Sequence, residues 1–279
     1  MPDPSVGFHV DPGECVRLSG EQSGEGSAIV LLHGLTATRR YVVMGSRALE
    51  RAGHRVVVYD ARGHGHSGPA PTSDAYTYGL LAHDLRAVLD QMGIERAVLA
   101  GASMGAQTAL RFALDNPSRV LALGLITPAF DPDAPVTPDA YVGWDRLARG
   151  LREGGVEGFV EAYDLDAVPE RFRETVAIVL HQRLSAHDSP LAVADALEAV
   201  PRSRPFNAWG DLAAIGVPTV VVASRDEPDP GHPLAIGERY AAAIPGAELV
   251  VEEEGKSPIA WQGGQLSKAI SELAARAPA

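Results

Sequence analysis

The chain has 279 residues, 46% hydrophobic and 22% charged, enough apolar material for one large core or two modest ones. With 36 acidic against 24 basic residues its formal charge is −12, so the attraction behind nucleic-acid and anionic-membrane binding runs the wrong way and neither partner is expected. Apolar runs such as 28–32 and 219–223 fall far short of the roughly 20 residues that span a bilayer, and the first ten residues lack both a basic start and an apolar stretch, so a cytoplasmic protein is expected.

Taken along the chain, short aliphatic runs predict strands at 28–32, 55–59, 97–100, 121–126, 217–223 and 248–251. Longer stretches of helical spacing separate them, the pattern of a buried, mostly parallel sheet. Leu81, Leu85, Val88, Leu89 and Met92 form one apolar stripe, and Ala106, Ala109, Leu110 and Ala113 form a second that stops at Asn116-Pro117. The architecture is therefore α/β. Single Cys15 cannot close an internal disulfide and has no ligand cluster around it, so it reads as an ordinary, partly buried thiol, and no metal or cofactor is expected.

The alternation fails over 128–205, which opens with Pro128, Pro132, Pro135 and Pro138 and carries helical patterns near 144–151 and 172–184. This segment is predicted to be an inserted helical cap over the carboxyl ends of the strands, with 1–127 and 206–279 forming the core. The largest pocket is expected beneath it, apolar and supplied with aromatic surface by Phe130, Tyr141, Trp144, Phe159, Tyr163 and Phe206. The stretch 273–279 reads as a fraying end.

The chemistry concentrates in Gly101-Ala102-Ser103-Met104-Gly105, which follows one predicted strand and opens one predicted helix. A sharp strand-to-helix turn holds its serine in strained dihedrals, and side chains at the flanking glycines would collide with backbone. His33-Gly34-Leu35 directly follows another strand, so the backbone N–H groups of Leu35 and Met104 are predicted to converge as an oxyanion hole beside Ser103, with His33 serving the turn. The loop Asp60-Ala61-Arg62-Gly63-His64-Gly65-His66-Ser67-Gly68 reads as scaffolding next to that elbow.

Together, His33-Gly34, Asp60-x-Arg62-Gly63-x-Gly65-x-Ser67, Gly101-x-Ser103-x-Gly105 and the order of strands and insertion resemble the α/β-hydrolase family over nearly the whole chain. The resemblance implies the α/β-hydrolase fold, a mostly parallel central sheet with an inserted helical cap. It also implies a serine nucleophile followed by an acid after the strand beyond the cap and a histidine after the last strand. Asp226 meets the requirement for the acid, with Asp229 a second candidate, but the final loop reads Glu254-Gly255-Lys256-Ser257-Pro258 and places lysine where the family has histidine. The expected arrangement is Ser103, Asp226 and Lys256, with the ammonium of Lys256 paired to Asp226 and close to Ser103. Because a free lysine has a pKa of about 10.4, such a group is a poor base near neutrality. His232 and His187 are the alternative bases.

The function expected from these features is hydrolysis of an ester, lactone or thioester of a small apolar acid, a small-molecule substrate. The competing readings are a small-molecule binding protein and a lyase- or cyclase-like enzyme on the same fold, with weak or no hydrolytic turnover.

Overall fold

A computed structural model describes residues 5–277. Eight strands form one sheet in the order β1-β2-β4-β3-β5-β6-β7-β8. These are β1 (Val6–Gly13), β2 (Val16–Ser23), β3 (Ser27–Leu32), β4 (His54–Tyr59), β5 (Ala97–Ala102), β6 (Val120–Ile126), β7 (Thr219–Ala223) and β8 (Glu248–Val251). The pairs β1/β2 and β2/β4 are antiparallel and all others parallel. The six aliphatic runs correspond to β3 through β8. The hairpin of β1 and β2 was not expected, because its polar, largely exposed first strand lacks the continuous apolar run of the buried strands. Cys15 lies exposed in its turn, correcting the partly buried reading.

Period-two alternation explains how both faces of the parallel strands are buried. Val30, Leu32, Val57 and Leu99 point to a cluster shared with α2 (Tyr78–Gln91), α3 (Met104–Asp115) and α7 (Leu234–Ala243). Ile29, Leu31, Val56 and Val98 point to the opposite cluster, shared with α1 (Ala48–Arg51) and α8 (Gly263–Ala275). Each buried aliphatic side chain contributes about 1.5–3 kcal/mol. Leu273, within α8, is fully buried, so the carboxyl end is ordered further than expected; Pro278 and Ala279 lie outside the described residues.

Between β6 and β7 the described secondary structure is all helical: α4 (Val142–Ala162, kinked at Gly155), α5 (Glu170–Leu184), α6 (Pro190–Arg202) and short 3-10 turns. The sequence patterns anticipated α4 and α5 but missed α6, whose Ser189 side chain caps its first turn and whose Val193, Leu197 and Val200 form the buried stripe. These helices share an apolar cluster with Leu35, Ala61, Tyr78 and Met104, which follow or flank the carboxyl ends of the central strands. None of the described helices is long and apolar enough to cross a membrane.

Candidate active site

Ser103 stands between β5 and α3 with φ 50° and ψ −111°, a backbone conformation that a non-glycine residue adopts only when its surroundings impose it. Its N–H donates to the Ile126 carbonyl at 2.9 Å and its carbonyl accepts from Gln107 N–H at 3.1 Å, tying the elbow to β6 on one side and to α3 on the other. The flanking glycines are required by close approach. A Cβ on Gly101 would run into the Gly105 carbonyl, and one on Gly105 would overlap the Leu32 carbonyl oxygen.

The side chain of Ser103 meets a histidine. His232 Nε2 lies 3.0 Å from Ser103 Oγ, and His232 Nδ1 lies 2.9 Å from Asp229 Oδ1. With Nδ1–H donating to the carboxylate, Nε2 is left as the acceptor for the serine proton. Both partners are partly shielded, with 27% and 16% of the His232 and Asp229 side chains exposed. They sit on the loop between β7 and α7, where a turn closes through His232 N–H to the Asp229 carbonyl at 3.1 Å.

The other predicted members are placed elsewhere. Asp226 is exposed, and its Oδ1 accepts from Leu234 N–H at 2.7 Å, so its carboxylate caps the start of α7 and anchors the loop that carries His232. Lys256 is exposed on the loop after β8, in a surface depression with Glu253 and Ser257, and no ion pair joins it to Asp226 among the described residues. The expected Asp226–Lys256 pair is therefore corrected. The β8 end supports the site through Glu252 instead: its Oε1 accepts from Arg225 N–H at 2.7 Å and from Ser224 Oγ at 3.2 Å, pinning the root of the β7–α7 loop.

His187 does not descend onto Ser103 either. Its Nδ1 accepts from Gly65 N–H at 2.8 Å and its Nε2 donates to the Thr36 carbonyl at 3.2 Å, so it fastens the α5–α6 connection to the glycine-rich loop. His33 behaves as the turn requires: Nδ1 donates to the Gly34 carbonyl at 2.8 Å and Nε2 accepts from Ala61 N–H at 2.9 Å. Within the same loop, Asp60 accepts from the backbone of Arg39 and His66 and pairs with the Arg39 guanidinium.

His33, His64 and His187 are buried, with the His64 ring against both of the others, and burial lowers all three pKa values, that of His187 to about 4. Only neutral His187 can accept from Gly65. Its folded pKa lies below the unfolded value of about 6.5, so its contribution is complete above that pH and is lost as pH falls through about 4. Unfolding free energy is expected to drop by about 3 kcal/mol between pH 6.5 and 4 from His187 alone, with its neighbours adding in the same direction. Urea titrations at a series of pH values check this: His187→Gln should flatten the slope, and an unchanged slope would refute the assignment.

Ser103 opens into a cavity of about 310 Å³ whose wall includes Leu35, Met104, Tyr78, Phe130, Tyr141 and Trp144. Leu35 and Met104 thus flank the serine, and a Cβ on the neighbouring Gly34 would contact Ser103 Cβ at 3.6 Å. The cavity is less apolar than anticipated, because Asp131, Arg202 and Arg204 also line it. Phe159 and Phe206 are instead core residues. A larger depression of about 800 Å³ lies elsewhere, against charged residues of α4 and α6, so the site cavity is not the largest.

An elbow serine with this relay, at the carboxyl ends of parallel strands, defines the hydrolase class of α/β protein. The family model of the alpha/beta hydrolase fold matches residues 27–175, and the chain belongs to the α/β-hydrolase family. A 2-hydroxy-6-oxononadienedioate/2-hydroxy-6-oxononatrienedioate hydrolase of Pseudomonas putida is 33% identical over 245 residues, 85% of this chain and 83% of the relative. A putative carbamate hydrolase RutD of Variovorax paradoxus is 31% identical over 73% of this chain and 75% of its own length. Among solved structures, the N-acyl homoserine lactone degrading enzyme Est816 superposes with a TM-score of 0.74 at 27% identity, covering 96% of this chain and 99% of the other. A thermophilic esterase from Thermogutta terrifontis gives 0.76 at 26% identity, covering 98% of each chain.

Proposed function

We propose that this chain is a serine hydrolase of small carboxylic esters, lactones or thioesters, with Ser103 as nucleophile, His232 as general base and Asp229 as the acid that orients it. The observation that carries the reading is the continuous relay from Ser103 Oγ through His232 to Asp229, with links of 3.0 and 2.9 Å. As Ser103 attacks the acyl carbon, its proton passes to His232 Nε2, and Asp229 stabilises the resulting imidazolium. The tetrahedral oxyanion is received by the N–H groups of Leu35 and Met104. His232 then protonates the leaving group, and a water deprotonated by the same imidazole releases the acid. Helices α4 to α6 act as the lid of this site.

The Ser103–Asp226–Lys256 arrangement is replaced in this reading, since His232 supplies what lysine cannot. The binding-protein and lyase-like alternatives, tied to weak or no hydrolytic turnover, lose support with an imidazole beside the serine. The hydrolase, lactone-degrading and esterase activities named for the relatives agree with this reaction class. A fluorophosphonate probe should label the protein once per chain, and Ser103→Ala should abolish labelling. A folded protein that resists the probe, or labels equally without Ser103, would refute the proposal.

A further inference from the structure

Gln107 lies one helical turn beyond Ser103 on α3, is 2% exposed and lines the same cavity. The end of its amide assigned as oxygen is 3.0 Å from Tyr240 Oη, which is also 2.9 Å from the Phe130 carbonyl oxygen. A phenol has one proton, and both of those oxygens only accept. In that orientation one carbonyl goes unserved, and the amide nitrogen has no partner among the described residues. Turning the amide over resolves the conflict, because the two ends are nearly isosteric and only the network decides between them. Gln107 Nε2 then donates to Tyr240 Oη, Tyr240 donates to Phe130, and the atom left unpaired is the amide oxygen. Burial keeps the Tyr240 phenol protonated far above its usual range, so the donor is always available.

We propose that Gln107 is a specificity-determining residue whose amide oxygen accepts a hydrogen bond from a hydroxyl or N–H on the acyl part of the substrate. Four residues of helix rise about 6 Å, and helical side chains lean toward the amino terminus. The amide is thereby brought back toward the turn that carries Ser103, within reach of a donor two or three bonds from the reacting carbonyl carbon. A 3-hydroxyacyl group has this shape. A site with a buried acceptor discriminates against the analogue that leaves it unpaired.

The inference rests on the hydrolase reading, and its test separates the two. p-Nitrophenyl 3-hydroxybutyrate and p-nitrophenyl butyrate differ only in the hydroxyl. The wild-type protein should favour the hydroxylated ester by about tenfold in kcat/KM. Gln107→Met, which keeps length and removes both polar atoms, should bring the ratio to near one, and Gln107→Glu, which retains an acceptor, should preserve a preference. A residue that merely holds Tyr240 and α7 in place would lower both esters in parallel and leave the ratio untouched; that result, or a wild-type ratio near one, overturns the proposal. If neither ester is cleaved, the hydrolase reading fails, and calorimetric binding of 3-hydroxybutyrate and butyrate decides the Gln107 inference. Tighter binding of the hydroxy acid, lost in Gln107→Met, supports it, and equal affinities overturn it.

Discussion

His232→Ala is expected to lower kcat for an activated ester by about 10⁴–10⁶-fold, because in the proposed relay the members act as a unit and the serine is not deprotonated without its base. Asp229→Asn is expected to lower it by about 10⁴-fold, since an amide opposite Nδ1 favours the wrong imidazole tautomer. Lys256→Ala should leave turnover unchanged within error, and Lys256→His should bring no gain, because that side chain is exposed on a different loop. Asp226→Asn tests the anchoring role: it should lower activity far less than Asp229→Asn, since its contact is with the backbone of α7. Steady-state kinetics on purified variants of confirmed fold check all five. Loss in Lys256→Ala equal to that in His232→Ala would overturn the relay.

The largest stability effect is expected at Arg62. Its guanidinium is fully buried and meets Asp84 through two hydrogen bonds, Nε to Oδ2 at 2.8 Å and Nη2 to Oδ1 at 2.7 Å, with a third to the Ala75 carbonyl at 2.9 Å. Burial pushes the Asp84 carboxyl above its ordinary range even with Arg62 beside it. Arg62→Leu strands that carboxylate and should reduce unfolding free energy by about 3–5 kcal/mol, read as a lowered urea midpoint. The paired change Arg62→Met with Asp84→Leu should recover at least half of the loss, because the penalty comes from the uncompensated charge. A single variant within about 1 kcal/mol of wild type would show that the pair contributes little beyond what water supplies.

Much of the fold and part of the site were legible because their causes are local. Continuous aliphatic runs identify strands buried on both faces, and β3 to β8 follow from them; the β1–β2 hairpin, with one polar, exposed strand, has no such mark. The strand-to-helix elbow was readable for the same reason, since strand, turn glycines and helix adjoin in sequence, and Gly101 and Gly105 are dictated by backbone contacts within a few residues or one strand away. Asp229 and His232 carry a faint local sign, an acid and an imidazole three residues apart on the loop after β7, yet nothing in that spacing says that the loop crosses to Ser103.

Only tertiary structure brought an imidazole to the serine. The Ser103–His232 bond joins residues 129 apart, and it forms because Asp226 fixes the loop to α7 while Glu252 fixes its root to the end of β8. Sequence alone determined a strained serine at the head of α3 and a lysine where a histidine was anticipated. Whether that lysine mattered depended on which loop reaches the serine, and loop reach is set by anchoring contacts between elements far apart in the chain, which residue order does not encode one by one.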